Sequence, residues 1–111
     1  MEIIQTRAND AIVLKLEGRL DTNTASSFEE KLMGLINDNE NRIVVDFSHL
    51  DFISSSGLRV LLMAGKKLKT SNGKLSLCSL QDHIKEVFDV AGFTMLFSMF
   101  SSKEEAINHI Q

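Results

Sequence analysis

The chain has 111 residues, of which 43% are hydrophobic and 24% are charged, the composition of an ordinary folded domain. Its net charge of −3 argues against a nucleic-acid binder, because such proteins usually carry a basic excess. The sequence therefore predicts one domain over residues 1–111 with no nucleic-acid partner. A short lysine cluster is interpreted as the solvated flank of a helix: Lys66, Lys67, Lys69 and Lys74.

Cysteine usage and hydropathy indicate where the protein works. The single cysteine, Cys78, cannot form an internal disulfide, which suits a reducing compartment. Its apolar neighbours in residues 75–80 predict a buried thiol with a packing role. No segment approaches the roughly 18 to 20 apolar residues that a membrane span needs, and residues 1–5 lack a signal-peptide pattern. We expect a cytoplasmic protein without a membrane partner.

The first third of the chain predicts a hairpin followed by a helix. Residues 2–7 and 11–17 have strand character, and the turn-forming residues 8–10 lie between them. Residues 18–21 are expected to end the second strand. A helix is predicted over about residues 22–37, because apolar residues recur there at helical spacing. Asp21 or Thr22 is its expected N-cap.

The central segment predicts a buried strand. Residues 42–47 contain three consecutive β-branched residues, which indicates burial on both faces of a sheet. Residues 48–53 are expected to be a connection, and a serine run follows.

The remaining half of the chain repeats the strand and helix pattern. Ser79 and Ser102 are the expected N-caps of the last two helices, since an acidic residue follows each at the third position. The order β-β-α-β-α-β-α-β-α predicts an α/β fold with a mixed, mostly parallel sheet, an N-terminal hairpin and about four α-helices. The elements expected in this half are a helix over 57–70, a strand over 74–78, a helix stopped by Gly92, a strand over 94–100 and a short helix ending near Ile110.

The sequence contains no complete motif of a known kind of catalytic site. The histidines, His49, His83 and His109, lack the spacing of a metal-binding pair. Only the second half of a Gly-x-Ser-x-Gly elbow is present, and there is no phosphate-binding Gly-x-x-x-x-Gly-Lys-Ser/Thr loop. The sequence predicts a protein that is not an enzyme and uses no metal or cofactor.

The serine run Ser54-Ser55-Ser56-Gly57 lies before an amphipathic helix. The first helical turn has unpaired backbone amides and partial positive charge, so a phosphate attached there would be tolerated by the domain. A phosphoserine would nonetheless add roughly −1.5 to −2 charges to the surface. The alternative is that these serines only cap the helix. Capping requires one hydroxyl, whereas this run offers three.

The helix after the serines is predicted to have a second apolar feature. Val60 and Met63 fall opposite its core-facing stripe at about 100° per residue. Apolar residues on an outer helix face can mark a docking surface. They can also be covered by a neighbouring element or be isolated exposures.

These segments together resemble a known family. Residues 44–62, VVDFSHLDFISSSGLRVLL, are similar to the signature of STAS domains, and most similar to the bacterial anti-sigma factor antagonists. Residues 18–21 with Thr24-Ala25 resemble the family's early Gly-x-Leu-Asp segment, and residues 79–93 resemble its third-helix region. The likeness covers nearly the whole chain and implies a single STAS-like domain.

The resemblance implies a role in partner switching. Such antagonists bind an anti-sigma factor that is also a serine protein kinase, and phosphorylation by this kinase switches the antagonist off until a matching phosphatase restores it. The family's acceptor lies two residues before the glycine, which is Ser55 here. Asp21 matches an acidic residue expected near the acceptor, and Asp46 is expected to border the site. The expected partner-binding residues are Asp21, Ser54, Ser56, Gly57, Arg59, Val60 and Met63.

Two positions depart from the family's pattern. Ser54 stands where an aspartate is often found before the acceptor, and Arg59 stands where a glycine is frequent. Arg59 could pair with a phosphate or alter the choice of partner. Two other functions are compatible with these residues. One is a STAS scaffold, a non-phosphorylated regulatory subunit of a transporter or signalling assembly; the other is an enzyme with a serine nucleophile.

Overall fold

The computed structural model describes residues 1–110 and contains a five-stranded sheet flanked by helices. A short 3₁₀ turn, Thr94–Leu96, precedes the last strand. None of the helices in this part of the chain is long and apolar enough to cross a membrane. The elements are β1 (Glu2–Ala8), β2 (Ala11–Leu20), α1 (Thr22–Asn37), β3 (Arg42–Ile53), α2 (Ser55–Thr70), β4 (Lys74–Cys78), α3 (Asp82–Val90), β5 (Ser98–Phe100) and α4 (Lys103–Ile110).

The sheet has the order β1-β2-β3-β4-β5, with β1 antiparallel to β2 and the other neighbours parallel. The predicted α/β class, the N-terminal hairpin and the four helices are therefore confirmed. The hairpin turn takes a positive φ of 57° at Asn9, a conformation that asparagine tolerates better than most residues.

The sheet separates two apolar layers. On one face, Phe28, Leu61 and Phe88 from α1, α2 and α3 join a core with alternate residues of the parallel strands. Helix α4 covers the other face, where Ala106 and Ile110 pack with a smaller cluster that includes Cys78. This arrangement buries the central strand on both faces, as the sequence predicted.

Cys78 is fully buried beneath α4, which confirms its predicted burial. Burial, reinforced by the nearby Asp46 carboxylate, raises the pKa of its thiol to about 11. The thiol therefore stays protonated at neutral pH and is a poor nucleophile, in keeping with a packing role.

Two predicted strand ends are wrong. Strand β2 continues to Leu20 and β3 continues to Ile53, although residues 48–53 were expected to form a connection. Two register shifts place an extra β3 residue opposite β2, first between Asp46 and His49 and again between Leu50 and Phe52. Each bulge reverses the inward and outward alternation, so the pattern of one continuous strand is lost.

The long end of β3 extends past β4, which ends at the register partner of Asp46. Side chains from the start of α3 pair with β3 carbonyl groups there. Gln81 Nε2 donates to the Leu50 carbonyl oxygen at 2.7 Å, and His83 Nε2 donates to that of Asp51 at 2.8 Å. These two hydrogen bonds hold α3 beside the end of β3.

The predicted cap of α3 is also wrong. Ser79 has a positive φ of 60° and its hydroxyl donates to the Ser101 carbonyl, while the N-cap of α3 is Gln81. The predicted cap of α4 is confirmed, because the Ser102 hydroxyl accepts from the Glu105 amide at 3.2 Å. The strand expected over residues 94–100 is reduced to β5, since the 3₁₀ turn takes its first three residues.

Candidate phosphorylation and docking site

The site is built where two parallel strands end side by side. Leu20 and Ile53 are register partners at the ends of β2 and β3, and each is followed by the N-cap of a helix. The Ser54 amide also donates to the Leu20 carbonyl oxygen at 2.9 Å. The first turns of α1 and α2 therefore lie next to each other, which places Asp21 near the serine run.

Ser54 is the residue that caps α2. Its backbone is extended, and its hydroxyl accepts a hydrogen bond from the Gly57 amide at 3.2 Å. Helix α2 accordingly begins at Ser55, two residues before the predicted start at Gly57. One serine of the run is therefore used for capping, and the other two occupy the first helical turn.

Ser55 is exposed at the first position of α2, and Ser56 is half-buried. None of the side-chain hydrogen bonds found within residues 1–110 uses the Ser55 hydroxyl. The first-turn amides of Ser55 and Ser56 likewise lack backbone or side-chain acceptors in the described chain. The Ser56 hydroxyl is also without a hydrogen bond in the described chain, so what distinguishes Ser55 is its exposure beside donors that favour an attached anion.

Because Ser54 holds the cap and Ser55 does not, their alanine variants should differ in stability. We expect Ser54→Ala to lower the free energy of unfolding by about 1 kcal/mol, because the Gly57 amide loses its acceptor. Ser55→Ala should change it by less than about 0.5 kcal/mol. Urea denaturation followed by circular dichroism measures both, and equal stabilities of the two variants would contradict this assignment of the cap.

Asp21 caps α1 through a reciprocal pair of contacts. Its Oδ1 accepts from the amides of Asn23 and Thr24, each at 3.0 Å, and the Thr24 hydroxyl accepts from the Asp21 amide at 2.9 Å. The Thr24 amide is the main reason that the pKa of Asp21 lies below its usual value, with the other cap contacts and Arg19 adding to it. Asp21 is therefore a fixed negative charge beside the serine run.

The lowered pKa of Asp21 predicts a pH-dependent contribution to stability. The ionised cap contributes fully above the unfolded-state pKa of about 3.9 and is lost as pH falls through the lower folded-state pKa. Asparagine caps helices about as well but does not titrate. The Tm advantage of the wild type over Asp21→Asn should therefore shrink between pH 5 and pH 2, whereas a difference that is constant with pH would exclude this linkage.

Gly57 is buried and brings α2 close to the strand ends. A Cβ atom at this position would lie 2.7 Å from Leu20 Cγ and 2.8 Å from Leu20 Cδ2, which is closer than real side chains allow. The glycine therefore permits the close approach of the two helix starts and presents no side chain to a partner.

The outer face of α2 differs from the prediction. Arg59 and Met63 are exposed, the latter by 37%, but Val60 is only 4% exposed and belongs to the core. The prediction that Val60 faces outward is wrong, because α1 packs along α2 and widens its buried face. The expectation that Asp46 borders the site is also wrong. Asp46 lies in the middle of β3, where its carboxylate accepts a hydrogen bond from the Ser48 amide.

A groove of about 520 Å³ runs beside Ser55, between the first turn of α2 and helix α3. Its far wall includes Val90, which is 84% exposed. Sequence reasoning missed this contribution of α3, although Val87 and Val90, three residues apart on one face, were a usable signal. The groove is lined by Ser55, Leu58, His83, Glu86, Val87, Val90 and Ala91.

Another exposed apolar residue lies at the strand ends. Phe52 is 37% exposed, and the Arg19 guanidinium carbon lies 4.2 Å above the centre of its ring. Such a cation–π contact holds both side chains at the surface. Phe52, Met63 and Val90 are all exposed apolar side chains, and of these Val90 lines the groove beside Ser55.

Comparisons with known proteins agree with this architecture. The STAS domain model matches residues 3–106. BtrV of Bordetella bronchiseptica, a candidate anti-sigma factor antagonist, is 35% identical over 96% of this chain and 91% of its own. A candidate antagonist from Thermotoga maritima superposes with a TM-score of 0.92 at 19% identity, covering 97% of this chain and 93% of its own.

The anti-sigma factor antagonist SpoIIAA has the same fold. In its unphosphorylated form it superposes with a TM-score of 0.86 at 23% identity, over 98% of this chain and 96% of its own. The phosphorylated form of SpoIIAA from Bacillus gives a TM-score of 0.78 at 23% identity, over 99% of this chain and 100% of its own. The resemblance seen in the sequence is confirmed, and this chain belongs to the STAS domain family.

Proposed function

We propose that this protein is an anti-sigma factor antagonist that binds a cognate anti-sigma factor with serine kinase activity and is switched off by phosphorylation of Ser55. The observation that carries the proposal is that two neighbouring serines of the run have different roles. Ser54 caps α2, while the exposed Ser55 hydroxyl makes no side-chain hydrogen bond within residues 1–110. The related BtrV is a candidate anti-sigma factor antagonist, which supports the first part of the proposal.

The domain can accept a phosphate on Ser55 without refolding. The modified side chain would stand at the amino end of a 16-residue helix, whose dipole and free amides favour negative charge. Ser55 is already exposed, so no buried volume has to open. The phosphorylated and unphosphorylated forms should therefore have nearly the same fold and differ in surface charge.

That charge would matter because Ser55 lines the α2–α3 groove. The apolar side chains of Val87 and the exposed Val90 in this groove favour a partner that covers it and excludes water from it. A phosphate at the rim would then be desolvated without a partner charge, or would face an acidic group of the bound protein. Either effect penalises the complex and spares the free domain.

Phosphorylation by an anti-sigma factor kinase from the same organism tests the proposal. Incubation with ATP and Mg²⁺ should add one phosphate to the intact mass, and peptide mapping should place it on Ser55. Ser55→Ala should abolish the gain, while Ser54→Ala and Ser56→Ala are matched controls that retain it. A single phosphate on Ser54 or Ser56 would contradict the assignment.

The same experiment distinguishes a phosphorylation-controlled antagonist from a STAS scaffold. A STAS scaffold without a phosphorylation cycle would bind its partner and gain no mass with any anti-sigma factor kinase. The proposed cycle also requires a serine phosphatase that removes the phosphate from Ser55 and restores binding. Recovery of both the original mass and the original affinity after phosphatase treatment is therefore expected.

We expect the Arg59 side chain to contact a phosphate on Ser55. It lies four residues after Ser55 and is exposed on the same helix, a spacing at which side chains meet. Its guanidinium would stabilise the dianionic phosphate and lower the second phosphate pKa relative to Arg59→Gln. A ³¹P NMR titration of the two phosphoproteins measures this, and identical titration curves would show that Arg59 does not reach the phosphate.

A further inference from the structure

A second groove lies at the opposite end of the sheet from Ser55. Lys74, on its rim, begins β4 and pairs with Arg42 at the start of β3, whereas Ser55 follows the end of β3. The groove has a volume of about 500 Å³ and is formed by the later turns of α2, the start of β4, residues 96–98 and His109 of α4. The Ser55 site therefore does not account for it.

The groove combines positive charge with an apolar lining. Lys66, Lys69 and Lys74 are exposed along it, and no carboxylate side chain lines it within residues 1–110. The ion pairs found in the same part of the chain use other basic residues. Half-buried Leu62, Leu75 and Phe97 supply the apolar surface between the lysines.

Gly65 leaves space in this groove that a side chain could fill. It lies inside α2, where glycine destabilises a helix relative to alanine. A Cβ atom there would lie 3.7 Å from Leu75 Cδ2 and 3.9 Å from Phe97 Cε1, which are ordinary contact distances. Packing therefore permits alanine at this position, and the glycine leaves the groove wider than stability alone would favour.

We propose that this groove binds one molecule of an anionic amphiphile, a single alkyl chain with a carboxylate or phosphate head group. The lysines would contact the head, and the chain would lie against Leu75 and Phe97. The volume falls in the range of roughly 300–1,000 Å³ that is typical of small-ligand sites. The lining is much smaller than the roughly 20 to 30 residues that each side contributes to a stable protein interface.

Decanoate, used below its micelle concentration, is a suitable probe. In ¹⁵N NMR titrations of the full chain, it should produce saturable shifts at the amides of Gly65, Gly73 and Phe97. Uncharged decanol should bind at least about fivefold more weakly, because it lacks the head-group charge. Equal affinity for decyltrimethylammonium, or shifts confined to the α2–α3 groove, would overturn the proposal.

Two glycine variants provide a matched pair. Gly65→Ala should raise Tm by about 3 °C and weaken decanoate binding by at least about threefold, since the added methyl group fills the groove. Gly34→Ala should raise Tm similarly without altering binding, because a Cβ atom there meets nothing within 4 Å. Unchanged decanoate affinity in Gly65→Ala would overturn the proposal.

The charge requirement has its own variant. The double substitution Lys66→Gln and Lys69→Gln should weaken decanoate binding by about fivefold and leave decanol binding unchanged. Binding to phosphatidylglycerol vesicles without any binding of free decanoate would indicate a membrane-surface patch and overturn the single-molecule site. None of these measurements involves a kinase, so they stand or fall independently of the proposed switch.

Discussion

Ser55→Asp is expected to weaken binding of the anti-sigma factor several-hundred-fold, the largest functional effect that the proposed switch predicts. The substitution places one negative charge at the rim of the α2–α3 groove, where a bound partner would exclude water. An unpaired charge in a desolvated interface costs about 3 to 4 kcal/mol, which corresponds to this loss of affinity. Titration calorimetry with the purified partner measures it.

The matched control for this charge is Ser55→Asn, which has nearly the size of aspartate without its charge. Ser55→Asn and Ser55→Ala should both bind within a few-fold of the wild type. A loss of affinity in Ser55→Asn as large as in Ser55→Asp would show that side-chain volume, rather than charge, disturbs the interface.

Phe88→Ala is expected to cause the largest loss of stability, about 3 to 5 kcal/mol. Phe88 is fully buried, and its ring makes edge-on contacts with Phe47 and Phe97 at centroid distances of 6.0 Å and 5.8 Å. It is the main anchor of α3 in the core, and α3 forms one wall of the groove beside Ser55. The free energy of unfolding, measured by urea denaturation, should fall accordingly.

A loss of this size is a large part of the roughly 5 to 15 kcal/mol that stabilises an ordinary domain. Phe88→Leu should therefore be measured as well, because it keeps most of the volume and costs less. Val90→Ala on the same helix is the exposed control and should change stability by less than about 0.5 kcal/mol. A cost below about 1 kcal/mol for Phe88→Ala would contradict the anchoring role.

Most of the element order could be predicted from periodicity alone. Helix α1 has the predicted bounds of residues 22–37, and β4 has the predicted bounds of residues 74–78. Both have regular patterns and clear turn residues at their ends. Asn39 and Asn72, which follow α1 and α2, have positive φ values. Asparagine tolerates this conformation, so its presence in the sequence correctly indicated turns after these helices.

The end of β3 could not be predicted, because its stability depends on distant residues. Two bulges interrupt the alternation between residues 46 and 52, and the strand's free edge is satisfied by Gln81 and His83 from another element. Ser79 was misleading for a related reason. Its hydroxyl donates to the carbonyl oxygen of Ser101, which lies far away in the sequence, and its backbone has a positive φ instead of the extended conformation of an N-cap.

The position of the candidate acceptor was predictable, but the surface around it was only partly so. The family pattern placed Ser55 at a helix start, and the structure shows an exposed side chain there. Val60 was assigned to the outer face because the sequence does not reveal that α1 covers that side of α2. The contribution of Val90 required knowledge of how α3 packs beside α2.

The most direct test of the switch compares the wild-type chain with the same chain carrying phosphoserine at residue 55, incorporated during translation. Both forms are titrated into one preparation of the anti-sigma factor. We predict that the unmodified protein binds and that the phosphorylated protein binds several-hundred-fold more weakly while its Tm stays within a few degrees. Equal affinity of the two forms would contradict control by Ser55.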